Sequence, residues 1–168
     1  AWASQPGHRP AVVVAPKSAK FNWEREIKRM RPQDSVAVFD PTRPEPARVP
    51  DWTILSYGGL NTERIRRFRS GKYQTLLLDE AHAMADFTTK RTRALLQLAS
   101  ANLPQDPERF RSPGVAPPYR LAITGTPVKN RVIEIFPILV FLGNRGALEY
   151  GRFAQRFTER EGYRGGPP

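Results

Sequence analysis

The sequence predicts an α/β domain with a mostly parallel sheet and flanking helices. Short apolar runs alternate along the chain with segments of helical periodicity, which is the pattern of such folds. Three of the runs end in polar residues, in the segments VVVAPKS, LLLDEAH and LAITGTP. Because ligands of open parallel sheets bind beyond the carboxyl ends of the strands, these endings predict a functional site at one edge of the sheet.

The composition of the chain limits the classes of function that it can have. A chain of 168 residues is long enough for one domain with a real core. It has no cysteine, which excludes disulfides and thiolate metal sites, and no apolar run approaches the roughly 20 residues of a membrane span. The net charge of +11 favours a polyanionic partner, with nucleic acid the first candidate. The alternative is a generally basic composition, since arginine outnumbers lysine.

Five apolar or β-branched runs predict five strands. They occur in the segments PAVVVAPKS, SVAVFD, WTILSY, YQTLLLDE and RLAITGTP. Successive side chains of a strand point to opposite faces, so the unbroken Leu76 to Leu78 predicts a strand buried on both faces. The prolines of residues 41 to 50 exclude regular structure between the second and third strands, and residues 102 to 118 predict a second proline-rich loop.

Helical spacing follows most of these strands. The predicted helices span residues 18 to 30, 61 to 70, 88 to 100 and 130 to 143, with a last one carrying Phe153 and Phe157. Ser18 is a candidate N-cap of the first helix, and Asn61 or Thr62 of the second. Trp23 lies at the apolar spacing of its helix, which favours core packing over base stacking. In the fourth helix, Pro137 predicts a kink or a first turn, and Gly143 predicts the end.

Asp79 and Glu80 are adjacent where the leucine-rich strand ends. This pair suits a nucleoside triphosphatase, in which the aspartate holds Mg²⁺, usually through water, and the glutamate polarises the attacking water. One carboxylate cannot easily do both, because metal binding lowers its basicity. The alternative is that the pair only starts a loop or caps a helix. The AH that follows and the TGTP turn after another buried strand favour the catalytic interpretation.

The TGTP turn and the histidines carry weaker signals. Thr124 and Thr126 offer two hydroxyls on a turn whose Gly125 permits close backbone approach to a phosphate. His8 and His82 lie far apart in the sequence, and DEAH lacks the two-histidine spacing of zinc proteases. The pattern therefore argues against a zinc site.

The motifs resemble, in combination and in order, the Swi/Snf-type ATPases of helicase superfamily two. The segments VVVAPKSAKFNWEREI, WTILSY, LLLDEAHAMADFTTKRTRAL and YRLAITGTPVKNRVIEIFPILVFLG look like motifs Ia, Ib, II and III of the first RecA-like lobe. TGTP followed three residues later by Asn130 separates this family from DEAD-box RNA helicases, which carry Ser-Ala-Thr there. The segment NRVIEIFPIL resembles the corresponding segment of bacterial, phage and annealing-helicase-like members more than that of large nucleosome remodellers.

The resemblance implies a role for each matching residue. Asp79 would bind Mg²⁺ through water and Glu80 would be the general base. Coupling of the nucleotide state to the DNA-facing surface would fall to His82, Thr124, Gly125 and Thr126. Contacts to DNA would come from Pro16, Lys17 and Ser18 of motif Ia, Ser56 and Tyr57 of motif Ib, Lys90 and Arg91 after motif II, and Lys129, which replaces the usual glutamine of motif III. The alternatives are that Ser18 only caps, Tyr57 only packs, and Lys90 and Arg91 form a solvated helix face.

The chain also departs from the family pattern. Residues 83 to 86 read AMAD where the family has a basic residue and then Lys-Asn, so a DNA contact is expected to be missing. No stretch fits the phosphate loop G-x-x-x-x-G-K-[ST], and SGKY at 70 to 73 has no upstream glycine at the right spacing. The resemblance thus predicts residues 1 to 143 as a partial ATP-binding lobe without its phosphate-loop strand. Residues 144 to 168 are predicted as a segment with one helix and a disordered end.

The function implied is that of a fragment of a DNA-dependent ATPase and double-strand DNA translocase. Its cofactors would be ATP and Mg²⁺, and its partners would be double-stranded DNA and a second RecA-like lobe, with no membrane. The chain alone is expected to bind ATP weakly or not at all and to be inactive. The alternative is a non-catalytic basic module that binds DNA or a protein. The expected location is intracellular: nucleoid-associated in a bacterium or phage, and nuclear in a eukaryote.

Overall fold

A computed structural model of the chain describes residues 7–60, 63–65, 68, 73–99, 117–143 and 150–158. The predicted α/β architecture is confirmed, because the described residues form a five-stranded sheet in which every neighbouring pair of strands is parallel. The strands are β1 (Ala11–Ala15), β2 (Val36–Val38), β3 (Trp52–Ser56), β4 (Thr75–Asp79) and β5 (Tyr119–Ile123). Their order across the sheet is β2-β3-β1-β4-β5.

The centre of the sheet consists of β1 and β4. In the register, Val13 lies opposite Ile54 on one side and Leu77 on the other. Every residue of β1 is at most 1% exposed, and Leu76 to Leu78 are at most 4% exposed. The unbroken apolar runs therefore reflect strands covered on both faces, as the sequence predicts.

Helices cover both faces of this sheet. They are α1 (Lys20–Met30), α2 (Lys90–Leu98), α3 (Phe136–Phe141) and α4 (Tyr150–Thr158). On one face, α1 contributes Ile27 and Trp23 to a cluster with Val13. On the other face, α2, α3 and α4 pack over Val12 and Val14. No described helix is long and apolar enough to cross a bilayer.

The helix boundaries correct one prediction and confirm two. Ser18 is not an N-cap: α1 begins at Lys20, with Ala19 before it and no capping side chain. The reason is a backbone turn in which the N–H of Ala19 donates to the carbonyl of Pro16 at 3.0 Å, so the chain is not yet helical at Ser18. Pro137 lies in the first turn of α3, as one of the two predicted possibilities. Gly143 follows that helix with a φ of 77°, the left-handed conformation typical of helix ends.

Other sequence predictions lie partly or wholly outside the described residues. The proposed caps Asn61 and Thr62 are among these, as are residues 159 to 168 and most of the second proline-rich loop. The last predicted helix is present as α4, where the rings of Phe153 and Phe157 lie 4.8 Å apart. Phe153 is buried and its ring lies 5.3 Å from that of Phe136, which anchors α4 on α3.

The last strand is covered less well than its neighbours. Within the described part of the chain, β5 pairs with β4 on one side only. Leu121 and Ala122 are half-buried and Ile123 is 40% exposed, although their sequence is as apolar as that of a central strand. An apolar strand with an unpaired edge is a template for pairing with a further strand.

The edge of the sheet at which the strands begin, its amino-terminal edge, is stabilised by a buried carboxylate, Asp34. It accepts hydrogen bonds from Trp52 Nε1 at 2.9 Å and Arg31 Nε at 3.3 Å, and it pairs with Arg9. Burial raises the pKa of Asp34, but these hydrogen bonds and the charge of Arg9 outweigh it, so the pKa lies below the ordinary value of 3.8. Ionised Asp34 therefore stabilises the folded state.

Asp34→Asn is expected to lower the free energy of unfolding at pH 7 by about 1.5 to 3 kcal/mol, the usual cost of a hydrogen bond to a charged group. Because the folded state lowers the pKa, the unfolded chain takes up the proton first as the pH falls. The stabilisation is thus complete above the ordinary value of 3.8 and is lost as the pH falls through the folded value. Urea unfolding between pH 3 and 7 measures both effects.

The matched control is Glu26→Gln, which neutralises a half-exposed carboxylate of α1 whose contact to Arg29 is 3.9 Å long. Such exposed pairs contribute little, so its unfolding free energy should follow the wild type at every pH. If Asp34→Asn were as stable as wild type at pH 7, Asp34 would not hold this edge.

Candidate active site and nucleic-acid interface

The candidate site lies at the carboxyl edge of the sheet. Asp79 ends β4 and pairs in register with Ile123 of β5, so the DEAH segment and the TGTP turn leave the sheet side by side. On the other side of β4, β1 leads directly into the turn at Pro16. The parallel topology therefore brings the three polar strand endings together, as the sequence predicts.

Asp79 is fixed by two donors from other elements. The indole Nε1 of Trp23 donates to Asp79 Oδ2 at 2.8 Å, and the hydroxyl of Tyr57 donates to the backbone carbonyl of Asp79 at 2.6 Å. Among the described residues, the second carboxylate oxygen of Asp79 accepts no hydrogen bond. The side chain is half-buried, so that oxygen remains available to a ligand.

Glu80 has an unusual backbone conformation. Its φ of 53° and ψ of 52° make it the only non-glycine residue with positive φ in the described chain. For an L-amino acid this conformation costs about 1 to 2 kcal/mol. It ends β4 abruptly and leaves the carboxylate 46% exposed at the sheet edge. Strain of this kind is concentrated at functional sites.

His82 joins the two strand endings. Its Nδ1 lies 3.1 Å from Glu80 Oε2, 3.2 Å from Thr124 Oγ1 and 3.4 Å from Thr126 Oγ1. An ionised carboxylate only accepts hydrogen bonds, so a bond to Glu80 requires the hydrogen on Nδ1. The same nitrogen cannot satisfy all three oxygens at once. His82 is therefore placed to exchange partners between the carboxylate and the threonine turn.

The TGTP turn is ordered by its own hydroxyl. The N–H of Thr126 donates to Thr124 Oγ1 at 3.2 Å. A Cβ added to Gly125 would meet nothing within 4 Å, and its φ is not positive, so the fold itself does not require glycine there. The predicted close approach of a phosphate to Gly125 stays a prediction.

The residues predicted to contact DNA, apart from Tyr57, fall into two groups. Lys17, Ser18, Lys90, Arg91 and Lys129 are exposed, whereas Pro16 and Ser56 are half-buried. Lys90 and Arg91 open α2, which Thr89 caps by accepting a hydrogen bond from the N–H of Thr92. The N–H groups of Lys129 and Asn130 donate to Glu134 Oε2 at 3.0 and 3.1 Å, which orders the turn that presents the lysine.

Tyr57 belongs to the interior. It is 7% exposed and packs in the core, and both its DNA contact and the alternative that it only packs stay predictions. Burial raises the pKa of its hydroxyl, the charges of Asp79 and Glu80 raise it further, and only Arg91 opposes them. The hydroxyl therefore stays protonated and remains a permanent donor to Asp79. The guanidinium of Arg91 lies 6.0 Å from the Tyr57 ring and links this interior residue to the exposed basic ones.

The bond between Trp23 and Asp79 is not predicted by the sequence. The spacing of Trp23 favours core packing, and the side chain is half-buried against the cluster of Val13 and Ile27. However, its polar edge reaches a residue that lies 56 positions away along the chain. The one signal in the sequence is that α1 follows β1, whose polar ending is expected at the same edge of the sheet as that of the DEAH strand.

The carboxylate geometry fits Mg²⁺ as the metal of this site. No group of three or more His, Cys, Asp or Glu side chains that could hold a metal occurs among the described residues. Mg²⁺ keeps several waters and is commonly held by one or two carboxylates together with substrate phosphates. The available oxygen of Asp79 would supply one such contact, through water as predicted.

Comparisons with known proteins agree with the motifs. No family model matches the chain. It is 32% identical over 153 residues to Helicase SWR1 of Kluyveromyces lactis, covering 85% of this chain and 8% of that protein. It is 30% identical over 146 residues to the putative ATP-dependent helicase/translocase YwqA of Bacillus subtilis, covering 83% of this chain and 14% of that protein. The chain therefore spans only about a tenth of the length of these relatives.

Two solved structures give the same answer for the fold. The SWI2/SNF2 ATPase core of Sulfolobus solfataricus in complex with double-stranded DNA matches with a TM-score of 0.71 at 24% identity, over 96% of this chain and 31% of that one. The Sulfolobus solfataricus SWI2/SNF2 ATPase core domain matches with a TM-score of 0.66 at 26% identity, over 95% of this chain and 29% of that one. This chain is a Swi/Snf-type lobe of helicase superfamily two. Fungal and bacterial relatives of the Swi/Snf-type lobe are about equally similar to it, so the narrower resemblance to bacterial and phage members stays a prediction.

Proposed function

We propose that the Swi/Snf-type lobe is part of a DNA-dependent ATPase that translocates along double-stranded DNA. The observation that carries this proposal is the convergence at the carboxyl edge of the sheet. Asp79 presents one available carboxylate oxygen, Glu80 presents an exposed carboxylate, and His82 links Glu80 to Thr124 and Thr126. Metal binding, proton transfer and the coupling of the nucleotide state to the DNA-facing surface are thus assigned to separate side chains.

The mechanism assigns one task to each residue. Glu80 accepts a proton from the water that attacks the terminal phosphate of ATP, and the P–O bond to ADP breaks. Asp79 would hold Mg²⁺, which neutralises triphosphate charge when bound. When Glu80 turns towards that water, the Nδ1–H of His82 is released to Thr124 or Thr126. The occupancy of the nucleotide site is thereby transmitted to the turn that leads to Lys129.

A complete ATP site requires groups that this sequence does not contain. We propose that a phosphate-loop strand pairs with the open edge of β5, which the exposure of Ile123 and the half-buried Leu121 and Ala122 support. A second RecA-like lobe would close over the same edge. On this proposal, the isolated chain binds ATP weakly or not at all and does not hydrolyse it.

Double-stranded DNA is the proposed track. The exposed basic residues Lys17, Lys90, Arg91 and Lys129 support an electrostatic contact with phosphates, which requires no particular base sequence. A motor that consumes ATP and acts on DNA functions where both are present, so we propose an intracellular location. The second candidate is a non-catalytic basic module that binds DNA or a protein, and a phosphate-loop motif in the full-length sequence would argue against it.

The test is ATP hydrolysis by the full-length protein with and without duplex DNA. Hydrolysis that duplex DNA stimulates severalfold is the expected result. If the folded protein binds DNA but hydrolyses no ATP, the binding-module alternative replaces the proposal. If RNA stimulates hydrolysis more than DNA does, the track is RNA.

A further inference from the structure

Trp23 makes a polar contact with Asp79 that has no part in the proposed steps of ATP hydrolysis. Its indole N–H is a donor only, and it donates to Asp79 Oδ2 at 2.8 Å. The rest of the ring packs against the cluster of Val13 and Ile27, which fixes the plane of the indole. The N–H therefore points at the carboxylate from a rigid platform.

We propose that Trp23 is a positioning residue that holds one oxygen of Asp79 and thereby presents the other to the metal. This inference depends on the proposed function. Tyr57 holds the backbone of the same residue through its carbonyl at 2.6 Å, so the main chain and the side chain of Asp79 are each fixed by one donor. Both donors come from elements other than β4, which makes the orientation a property of the tertiary fold.

An uncharged donor such as the indole N–H suits a carboxylate that is to bind Mg²⁺. A lysine or arginine in the same place would neutralise the carboxylate and compete with the cation for it. The indole orients the carboxylate without a formal charge, so the full negative charge remains for Mg²⁺. Partners that orient a metal ligand typically change metal affinity or activity by about 10- to 100-fold when they are removed.

The chain contains a matched control for this contact. Trp52 Nε1 donates to Asp34 Oδ2 at 2.9 Å, the same pair of groups at the opposite edge of the sheet. Trp23→Phe and Trp52→Phe each remove one indole N–H and retain an aromatic ring. Only the first alters the surroundings of Asp79.

The experiment measures Mn²⁺ binding by electron paramagnetic resonance, with the full-length protein and a non-hydrolysable ATP analogue. We expect Trp23→Phe to raise the dissociation constant for Mn²⁺ about tenfold or more, and Trp52→Phe to leave it unchanged. The concentration of Mg²⁺ that gives half-maximal hydrolysis should shift with it. Equal affinity in wild type and Trp23→Phe would overturn the inference.

Two further measurements separate the possible failures. Placing the sulfur analogue of tryptophan, benzothienylalanine, at position 23 removes only the N–H, so a defect without unfolding is expected there as well. A wild-type Mn²⁺ affinity in that variant would overturn the inference even if Trp23→Phe were unfolded. If the wild-type protein binds no Mn²⁺ with the nucleotide analogue, the proposed function itself fails and the inference falls with it.

Discussion

Glu80→Gln in the full-length protein is expected to lower kcat for ATP hydrolysis by about 10²- to 10⁴-fold, the usual contribution of a general base. ATP binding should stay near the wild-type level, because the loss affects the proton acceptor and not the binding groups. The glutamine oxygen can still accept from His82 Nδ1, which lies 3.1 Å from Glu80 Oε2, so the local geometry is retained. Steady-state phosphate release and equilibrium binding of a fluorescent ATP analogue measure the two quantities.

The control is again Glu26→Gln, because it makes the same chemical change on a half-exposed carboxylate of α1. Its kcat should equal that of the wild type. Near wild-type hydrolysis by Glu80→Gln would show that another group activates the water. Loss of ATP binding together with hydrolysis would show that Glu80 is a binding residue.

The strands and the position of the site could be predicted because local patterns determine them. The run Leu76 to Leu78 can be buried only in a strand that is covered on both faces. The carboxyl ends of parallel strands lie at the same edge of a sheet, so the residues that follow these strands lie close together. Glu80, His82 and Thr124 therefore lie close together at that edge, as expected. The five strands needed no information beyond apolar runs and the prolines and glycines between them.

The details that the sequence did not predict depend on contacts and backbone conformations that no local pattern encodes. Ser18 has the chemistry of an N-cap, but a backbone turn from Pro16 moves the cap position by one residue, to Ala19. Tyr57 matches a DNA-binding motif, and the motif gives no sign that its hydroxyl donates to the carbonyl of Asp79. The left-handed conformation of Glu80 is also invisible in the sequence, because the residue is not a glycine or asparagine.

Binding of duplex DNA by the full-length protein is expected to weaken steeply with salt and to depend little on base sequence. Each phosphate contact contributes about −0.9 to the slope of log K against log salt concentration. The exposed Lys17, Lys90, Arg91 and Lys129 would together contribute about −3.6, which weakens binding about 150-fold between about 50 and 200 mM salt. Fluorescence anisotropy titrations of a labelled duplex at several salt concentrations give the slope.

A pair of double variants tests where on the molecule this slope arises. Lys90→Ala with Arg91→Ala removes two charges at the carboxyl edge of the sheet and should reduce the slope by about 1.8. Lys28→Ala with Arg29→Ala removes the same charge from the last turn of α1, near the Asp34 edge, and should leave the slope unchanged. Equal reductions of the slope in the two double variants would mean that DNA binding depends only on the net charge of +11. Binding that ignored salt would exclude a phosphate-binding surface, because counterion release accompanies every such contact.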